Sequence, residues 1–453
     1  MSRKGIYRSV KIKDVSFESL ASMAKEKGGE KGMTVGLDIA KKEIVVVLRW
    51  PDGSFERPIS VANPLGIGEL TELFCRLREG CEDLTIGLES TGTYGEAVRF
   101  AMTKASLEVH RVSGKGVSDY REVFDRVPSQ HDGKDAAMIA ELTAFGKGTP
   151  WPYRAPTEAE QERKRHVARL TSFQKQGQQW LGRLEALLAR HWPELTSLLA
   201  LDSATLLNIC LHYGSPAKLA SEEQSRAKAQ LRKWGRSKLS YSKIQEVLTS
   251  ARFNVGVPLG PGEEAWLKEV VGEIQKALVE VRVSRRALTK DAKSDPTMKN
   301  YVEKVGGPTL CVIWTTVGDP RKYSSSGAFL KALGLNLKEL SSGNHKGVLA
   351  ITKRGPGPAR KALYFWALRA IQQPEIKAWY NRFTKVGRGK SDANGYRKMK
   401  GLVAVMRKLA RSLWYVCQHD LPFSYANVFP EKPLQKRKKR RTRRRTQVPV
   451  PTR

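Results

Sequence analysis

The spacing of apolar residues after Met33 is the feature that most constrains how this chain folds. Three runs suit short strands, at residues 33–39, 44–48 and 54–58. A two-lysine corner separates the first pair, and a Pro-Asp-Gly turn at residues 51–53 separates the second pair. Alternating runs joined by turns this short predict an antiparallel meander that opens a domain.

The pattern then changes to helices that alternate with strands. Helical spacing is predicted from residue 64 to 77, over 95–104 and from 132 to 145, with strands at 84–88 and 107–112. A meander followed by this alternation predicts an open mixed sheet covered by helices, which is a ribonuclease H-like fold. Residues 33–156 are therefore predicted to form an α/β domain.

The remainder is predicted to be mainly helical. Residues 158–192 have the pattern of one long amphipathic helix, and residues 265–288 carry apolar positions near heptad spacing. The two stretches fit an antiparallel helix pair, an intermolecular coiled coil or ordinary helices packed on a core. The predicted segments are a loosely ordered basic arm (1–32), the α/β domain (33–156), a long-helix coiled-coil segment with an insertion at 194–262 (157–300), a mainly helical domain (301–428) and a basic disordered tail (429–453). Nine of the ten residues at 436–445 are Lys or Arg, and such runs stay disordered until they meet a polyanion.

Charge is divided unevenly along the chain. The net charge is +35, yet residues 33–156 carry 15 Lys and Arg against 18 Asp and Glu. A basic protein of this kind is expected to bind nucleic acid, because neutralising phosphates releases counterions. Membrane association is disfavoured, since no run approaches about 18 consecutive apolar residues and the N-terminus has no signal-peptide core.

Four acidic residues stand out within the acidic segment: Asp38, Glu89, Asp132 and Asp135. Asp38 lies near the end of the first predicted strand, and Glu89 follows the strand at 84–88. Asp132 and Asp135 are three apart at the head of a predicted helix, so they share one face. Each acid alone has an ordinary explanation, such as a helix cap or a surface charge. Together they suit two Mg²⁺ or Mn²⁺ ions that catalyse phosphoryl transfer.

Longer motifs around these acids resemble a known family. They are Gly36-Leu37-Asp38-Ile39-Ala40-Lys41, Glu89-Ser90-Thr91-Gly92-Thr93-Tyr94, Asp132-Gly133-Lys134-Asp135-Ala136, Leu333-Gly334-Leu335, Ser341-Ser342-Gly343, Ile351-Thr352-Lys353-Arg354-Gly355, Arg360-Lys361-Ala362-Leu363-Tyr364 and Met406-Arg407-Lys408-Leu409-Ala410. In order and spacing they resemble the DEDD insertion-sequence transposases of insertion-sequence family one-ten, which include Piv-type DNA invertases. One departure is Gln130-His131, where the family usually has Lys-Thr before the first aspartate.

This resemblance implies a RuvC-like ribonuclease H-fold domain, a coiled-coil segment and a transposase domain that supplies a nucleophilic serine. It implies that Asp38, Glu89, Asp132 and Asp135 are catalytic ligands of Mg²⁺ or Mn²⁺. It also implies that Ser342 is the nucleophile, with Ser341 as the alternative. The residues expected to contact nucleic acid are Lys346, Lys353, Arg354, Arg360, Arg407 and Lys408.

The implied partners are donor and target DNA, a structured noncoding bridge RNA that guides recombination, and further copies of the chain in a dimer or tetramer. The implied setting is the cytoplasm of a bacterium or archaeon, near the nucleoid. Two other functions fit the residues: a metal-dependent junction-resolving endonuclease that uses water as its nucleophile, and a non-catalytic nucleic-acid-binding protein whose charge alone accounts for binding.

Overall fold

The computed structural model describes residues 8–28, 31–90, 92–236, 238–342, 345–384 and 396–429, with the backbone alone at 340–342, 345–348, 382–383 and 396–397. The chain divides into two compact units, Met1–Ala155 and Pro156–Arg453. Within the described ranges, no helix is long and apolar enough to cross a bilayer. The predicted tail lies outside the described residues from residue 430 onward.

The first unit is a mixed sheet with helices. Its elements are β1 (Val10–Lys11), α1 (Phe17–Glu26), β2 (Met33–Ile39), β3 (Glu43–Arg49), β4 (Ile59–Ala62), α2 (Ile67–Glu79), β5 (Leu84–Glu89), α3 (Glu96–Lys104), β6 (Glu108–Val112), α4 (Gly114–Asp125), α5 (Asp132–Ala144) and β7 (Thr149–Pro150). The strand order is β1-β4-β3-β2-β5-β6-β7. Strands β2, β3 and β4 are antiparallel neighbours, whereas β2, β5 and β6 are parallel. A meander that continues into parallel strands is the arrangement that the sequence predicts.

The prediction of a loosely ordered arm is wrong for residues 8–28, which form a strand and a helix. Strand β1 pairs in parallel with β4, and Ile12, Leu20 and Ala24 are buried in the sheet's core. Ser16 caps α1 by accepting a hydrogen bond from the backbone N–H of Ser19 (3.2 Å). The arm therefore folds because one apolar face of a short capped helix is buried against the core.

Two other details of the first unit differ from prediction. The third strand is β4, after Pro58, and not residues 54–58, where Phe55 makes only an isolated bridge to Arg49. Proline has no N–H to donate to a strand ladder, which explains why the ladder is interrupted before β4. Helix α4 was not predicted at all. Its start is capped by Ser113, whose hydroxyl accepts from the N–H of Gly116.

The second unit is mainly helical. Its elements are α6 (Glu158–His191), α7 (Pro193–Leu198), α8 (Ala204–His212), α9 (Pro216–Ser221), α10 (Gln224–Trp234), α11 (Tyr241–Arg252), α12 (Pro261–Ser294), α13 (Val302–Val305), α14 (Gly307–Thr316), α15 (Ser326–Ala332), β8 (Leu337–Ser342), β9 (His345–Ile351), α16 (Gly357–Ala370), α17 (Pro374–Thr384), α18 (Tyr396–Gln418) and α19 (Tyr425–Val428).

Helices α6 and α12 form an antiparallel pair within the chain, one of the arrangements that the sequence left open. Arg163 is bound to Asp291 (2.6 Å between Nε and Oδ2), and Arg190 near the other end of α6 is bound to Glu263 (3.0 Å). Residue numbers thus fall along α12 as they rise along α6. A Thr157–Glu160 capping box begins α6, and Pro261 at the first position begins α12.

The long pair contributes to two separate cores. The ends that carry Val167 and Leu288 pack with the helices after residue 298, and the ends that carry Leu184 and Ile274 pack with α7–α11. The predicted helical segment (157–300) and transposase domain (301–428) therefore share one core. A second difference is the β8–β9 hairpin, which lies inside the domain predicted to be mainly helical.

Candidate active site

Two neighbouring strands bring the first two acids of the motif set to one edge of the sheet. Strands β2 and β5 pair in parallel with Leu37 opposite Leu88. Asp38 and Glu89 are the next residue on each strand, and both are half-buried. Since alternate residues of a strand face the same side, Asp38 shares its face with Thr34 and Gly36.

Helix α5 lies on that same face because two glycines allow it to approach. Gly36 and Gly87 are opposite each other in the β2–β5 register. A Cβ at Gly36 would lie 1.9 Å from the carbonyl oxygen of Ala136, and a Cβ at Gly87 would lie 2.0 Å from Oγ1 of Thr143. Thr34 adds a hydrogen bond from its hydroxyl to the carbonyl of Ala140 (3.1 Å). The helix is therefore held against the sheet along its length.

The start of α5 carries the other two acids. Its C-terminal part lies over Thr34 and Gly87, so its N-terminal residues Asp132 and Asp135 lie toward the edge where Asp38 and Glu89 end their strands. His131 caps the helix, because its Nδ1 accepts a hydrogen bond from the backbone N–H of Gly133 (3.1 Å). The histidine that stands where the family usually has threonine therefore caps the helix through a ring nitrogen.

A buried lysine fixes this end of the helix. Lys134 is fully buried, and its ammonium donates to Oδ1 of Asp125 (2.6 Å) and to the carbonyl of Val127. The backbone N–H of Val127 in turn donates to the same Asp125 oxygen (3.0 Å). A buried charge must be paired to be tolerated, so these contacts tie the start of α5 to the end of α4.

The charges of the other three acids act on Asp38. Burial, followed by the charges of Asp132, Asp135 and Glu89, raises the pKa of Asp38 to about 6. Burial and then the charge of Asp135 also raise the pKa of Glu89. Like charges held close in a partly desolvated place disfavour ionisation. The structure therefore brings Asp38, Glu89, Asp132 and Asp135 into one electrostatic cluster, called the acidic cluster below.

Helix α4 supplies two further contacts to this cluster. Arg121 donates through Nη2 to both carboxylate oxygens of Asp135 (3.1 and 3.3 Å). Gly114 lies against Glu89, since a Cβ there would lie 1.9 Å from its Oε1. The Arg121 guanidinium offsets part of the negative charge of the four acids while it is bound to Asp135.

The donor set of the acidic cluster fits a hard divalent cation. All four side chains offer carboxylate oxygens, which Mg²⁺ and Mn²⁺ prefer, and a cation would relieve the repulsion that raises the pKa of Asp38. Among the described residues, no three or more His, Cys, Asp or Glu side chains are grouped closely enough to hold a metal ion as they stand. Asp135 in particular uses both oxygens on Arg121.

The candidate nucleophile belongs to the second unit. Ser342 is the last residue of β8 and pairs in register with His345, next to an irregularity between Leu340 and Ser342. Gly343 and the side chains of Ser341, Ser342 and Lys346 lie outside the described part of the chain. The base of the hairpin is fixed to the end of α15, because the N–H groups of Thr352 and Lys353 donate to the carbonyls of Asn336 (2.9 Å) and Gly334 (3.0 Å).

The predicted nucleic-acid contacts fall into two groups. Lys353 and Arg354 are exposed near the base of the hairpin. The other described members are partly buried and donate to backbone carbonyls: Arg360 to Gly355, Arg407 to Leu335 (2.9 Å) and Lys408 to Val428. Burial lowers the pKa of Lys408, whose ammonium also lies 4.7 Å from the centre of the Phe429 ring. Arg360, Arg407 and Lys408 therefore also hold parts of the fold together through these hydrogen bonds.

The sequence interpretation missed the groups that position the acids. They are Gly36, Gly87, Gly114, Arg121 and Lys134. A signal existed for the first two, because a glycine inside a strand often marks the close approach of another backbone. The sequence also carried a signal for the hairpin, since the pair Gly343-Asn344 is typical of a two-residue turn. Arg121 had none, as its helix was not predicted.

The mixed sheet with carboxylates at the ends of neighbouring strands defines a RuvC-like DEDD domain, followed here by a mainly helical unit. A family model of DEDD transposases of the IS110 type, described as "Transposase", matches residues 35–193. A second model, described as "Transposase IS116/IS110/IS902 family", matches residues 302–381. The two models together match more than half of the chain, which belongs to the IS110 family of DEDD transposases. No curated protein matches the sequence.

Proposed function

We propose that this transposase cuts and rejoins DNA through a covalent bond to Ser342, with the acidic cluster holding divalent metal. The observation that supports the proposal is that the charges of Glu89, Asp132 and Asp135 act on Asp38, with Asp38 and Glu89 on neighbouring strands. Mg²⁺ or Mn²⁺, when bound there, would stabilise negative charge on the phosphate oxygens during phosphoryl transfer. Asp38 and Glu89 suit this role because rigid neighbouring strands hold them.

The proposed reaction conserves phosphodiester bonds. The Oγ of Ser342 attacks a DNA phosphorus, its proton passes to a base, and the bond from phosphorus to one sugar oxygen breaks. That oxygen leaves as a hydroxyl, so the strand stays attached through a phosphoserine ester. A hydroxyl from another strand end then attacks the same phosphorus, and the serine oxygen leaves and regains its proton. The number of ester bonds is unchanged, and no external energy source is required.

Replacing Ser342 with alanine tests the covalent step. We expect Ser342→Ala to abolish strand exchange and to remove any protein–DNA adduct that survives denaturation, because no other hydroxyl occupies that position. The adduct is measured by denaturing gel with end-labelled DNA and Mn²⁺. Ser341→Ala is the matched control, one residue away in the same strand, and it should retain the adduct.

Two results would contradict this part of the proposal. If neither serine is required for strand exchange, the covalent mechanism is wrong. If Ser342→Ala still cuts DNA but never forms an adduct, the chain is better described as a metal-dependent junction-resolving endonuclease, with water as the nucleophile. Loss of cutting after Asp38→Asn would still support the acidic cluster in that case.

We further propose that a structured RNA guides the reaction and that two or four copies assemble on the paired DNA duplexes. This rests on the family resemblance and on a net charge of +35, which suits several polyanions at once. We expect one structured RNA species to copurify with the protein after nuclease treatment and high-salt washing. Sequencing of that RNA is the measurement, and a random mixture of cellular RNA would refute guidance.

A further inference from the structure

The insertion between the long helices is a folded subdomain with a core of its own. Helices α7–α11 bury side chains such as Leu206, Leu231 and Val247 against Leu184 and Ile274 of α6 and α12. Trp192 ties it together further, because its indole N–H donates to Oγ of the buried Ser250 (3.1 Å). Neither transposase family model extends over residues 194–301. The subdomain is therefore a stable platform whose role the family does not specify.

One side of this platform is strongly basic. Residues 224–243 contain seven Lys and Arg and no Asp or Glu. Five of them form what we call the basic face: Lys228, Arg232, Lys233, Arg236 and Lys238. Lys228 and Arg232 are four residues apart on α10 and so lie on one side of it, and Arg236 and Lys238 follow in the connection to α11. Apart from the half-buried Lys228, these side chains are exposed.

Among the described residues, the five cations of the basic face have no acidic partner, unlike several lysines elsewhere in the second unit. Lys218 is paired with Glu264, Lys243 with Glu246 and Lys276 with Glu273. In the part of the chain that the structure describes, no carboxylate lies within ion-pair distance of the five side chains of the basic face. Unpaired like charges repel one another, so their retention on one surface favours an anionic partner.

Helix stabilisation does not account for the whole face. Arg232 and Lys233 are in the last turn of α10, where cations favourably oppose the helix dipole. Arg236 and Lys238 lie beyond the end of that helix, and the N–H of Lys238 donates to the carbonyl of Gly235 (2.9 Å) in the connecting turn. The helix dipole therefore does not explain the positions of Arg236 and Lys238.

An exposed tyrosine extends the face. Tyr241 begins α11 and is 67% exposed. Its hydroxyl accepts a hydrogen bond from the ammonium of Lys228 (3.3 Å), which also lies 5.4 Å from the ring centre. Lysine, arginine and tyrosine side chains are the usual donors to phosphate oxygens at protein–DNA interfaces. The face therefore combines charge with hydroxyl donation on a rigid support.

We propose that the basic face binds the phosphate backbone of duplex DNA, without reading its sequence. Duplex DNA is the partner that a transposase must hold, and its phosphate spacing offers a charge density that a compact set of five cations can neutralise. This inference goes beyond the proposed function, because it assigns a DNA contact to an insertion outside the acidic cluster and the Ser342 hairpin. It requires neither metal nor the nucleophile.

The test compares two triple variants of the full-length protein. Arg232→Gln/Arg236→Gln/Lys238→Gln neutralises the basic face, and Lys218→Gln/Lys243→Gln/Lys276→Gln removes the same net charge from paired lysines of the same unit. Binding to a fluorescent random-sequence DNA duplex is measured by anisotropy with EDTA present, over a series of KCl concentrations. Circular dichroism and thermal unfolding verify that both variants are folded.

The expected results follow from counterion release. The basic-face variant should bind DNA roughly tenfold more weakly, and the slope of log K against log salt should become shallower by about 2 to 3, because about 0.9 is lost for each phosphate contact. The control should retain most of the wild-type slope. Equal losses in both variants, or a wild-type slope in the basic-face variant, would overturn the proposal. A loss confined to a structured RNA hairpin would also overturn it, since the face would then be an RNA contact.

Discussion

Replacing Asp38 with asparagine is expected to abolish DNA cleavage and also to stabilise the metal-free protein. Under the proposed metal role of Asp38, loss of its charge removes several kcal/mol of transition-state stabilisation, which corresponds to a rate lower by at least about 10³-fold. The gain in stability comes from the native state, where burial and the charges of Asp132, Asp135 and Glu89 raise the pKa of Asp38 to about 6. Unfolding relieves that repulsion, so the wild-type carboxylate destabilises the folded state.

The sign and pH window of the stability effect can be worked out. The folded protein holds the Asp38 proton up to about pH 6, whereas the unfolded chain releases it near its ordinary value of 3.8. Wild-type stability from this group therefore falls as pH rises from about 4 to 6 and stays reduced above that range. The full pKa difference corresponds to about 3 kcal/mol, and solvent screening reduces the expected gain from Asp38→Asn to about 1–2 kcal/mol near neutral pH.

Urea unfolding of the wild type and of Asp38→Asn, in EDTA and across this pH range, measures the effect. The advantage of the variant should disappear below about pH 4, where the carboxyl group is protonated in both states. Asp52→Asn is a suitable control in the same unit, because hydrogen bonds from Ser54 lower the pKa of Asp52, and its replacement should not stabilise the protein. A variant that is less stable than wild type above neutral pH, or that cleaves DNA normally, would show that the acidic cluster is misassigned.

Substituting alanine for Gly36 should unfold or strongly destabilise the first unit. The added Cβ would lie 1.9 Å from the carbonyl oxygen of Ala136 and 2.5 Å from the backbone nitrogen of Ala140. Both are backbone atoms of α5, so no side-chain rotation relieves the clash, and the helix must move off the sheet. Overpacking of this kind costs about 3 kcal/mol or more. Because α5 also carries Asp132 and Asp135, we expect any folded fraction to lose metal-dependent cleavage.

Gly68→Ala provides the matched control for this substitution. Gly68 lies in the first turn of α2, and a Cβ there would meet no atom within 4 Å. Alanine favours helix by about 1 kcal/mol over glycine, so this variant should be as stable as wild type or slightly more so. The melting temperature of each variant is compared by calorimetry. If Gly36→Ala melts as the wild type does, then α5 does not pack on β2 at this glycine.

Sequence reasoning identified the sheet and the acids for related reasons. Strands β2 and β5 are apolar runs with Asp38 and Glu89 at or next to their last residues, so local pattern alone shows where each carboxylate lies along its strand. The parallel register that puts Leu37 opposite Leu88 involves residues far apart in sequence, and no local pattern fixes it. Local pattern likewise failed for α1 and α4, because each buries only two residues, Leu20 and Ala24 in α1 and Val117 and Phe124 in α4.

The sequence alone showed a strongly basic chain with an acidic segment. It also showed four carboxylates in a fixed order and a serine pair followed by glycine. Those features are local or additive, and they survive without knowledge of any long-range contact. Tertiary structure decided that α5 reaches the sheet across Gly36 and Gly87, that Arg121 binds Asp135, and that the insertion presents an unpaired basic face. Each of these depends on which distant backbones approach closely enough to pack, and packing distance is a property of the whole fold.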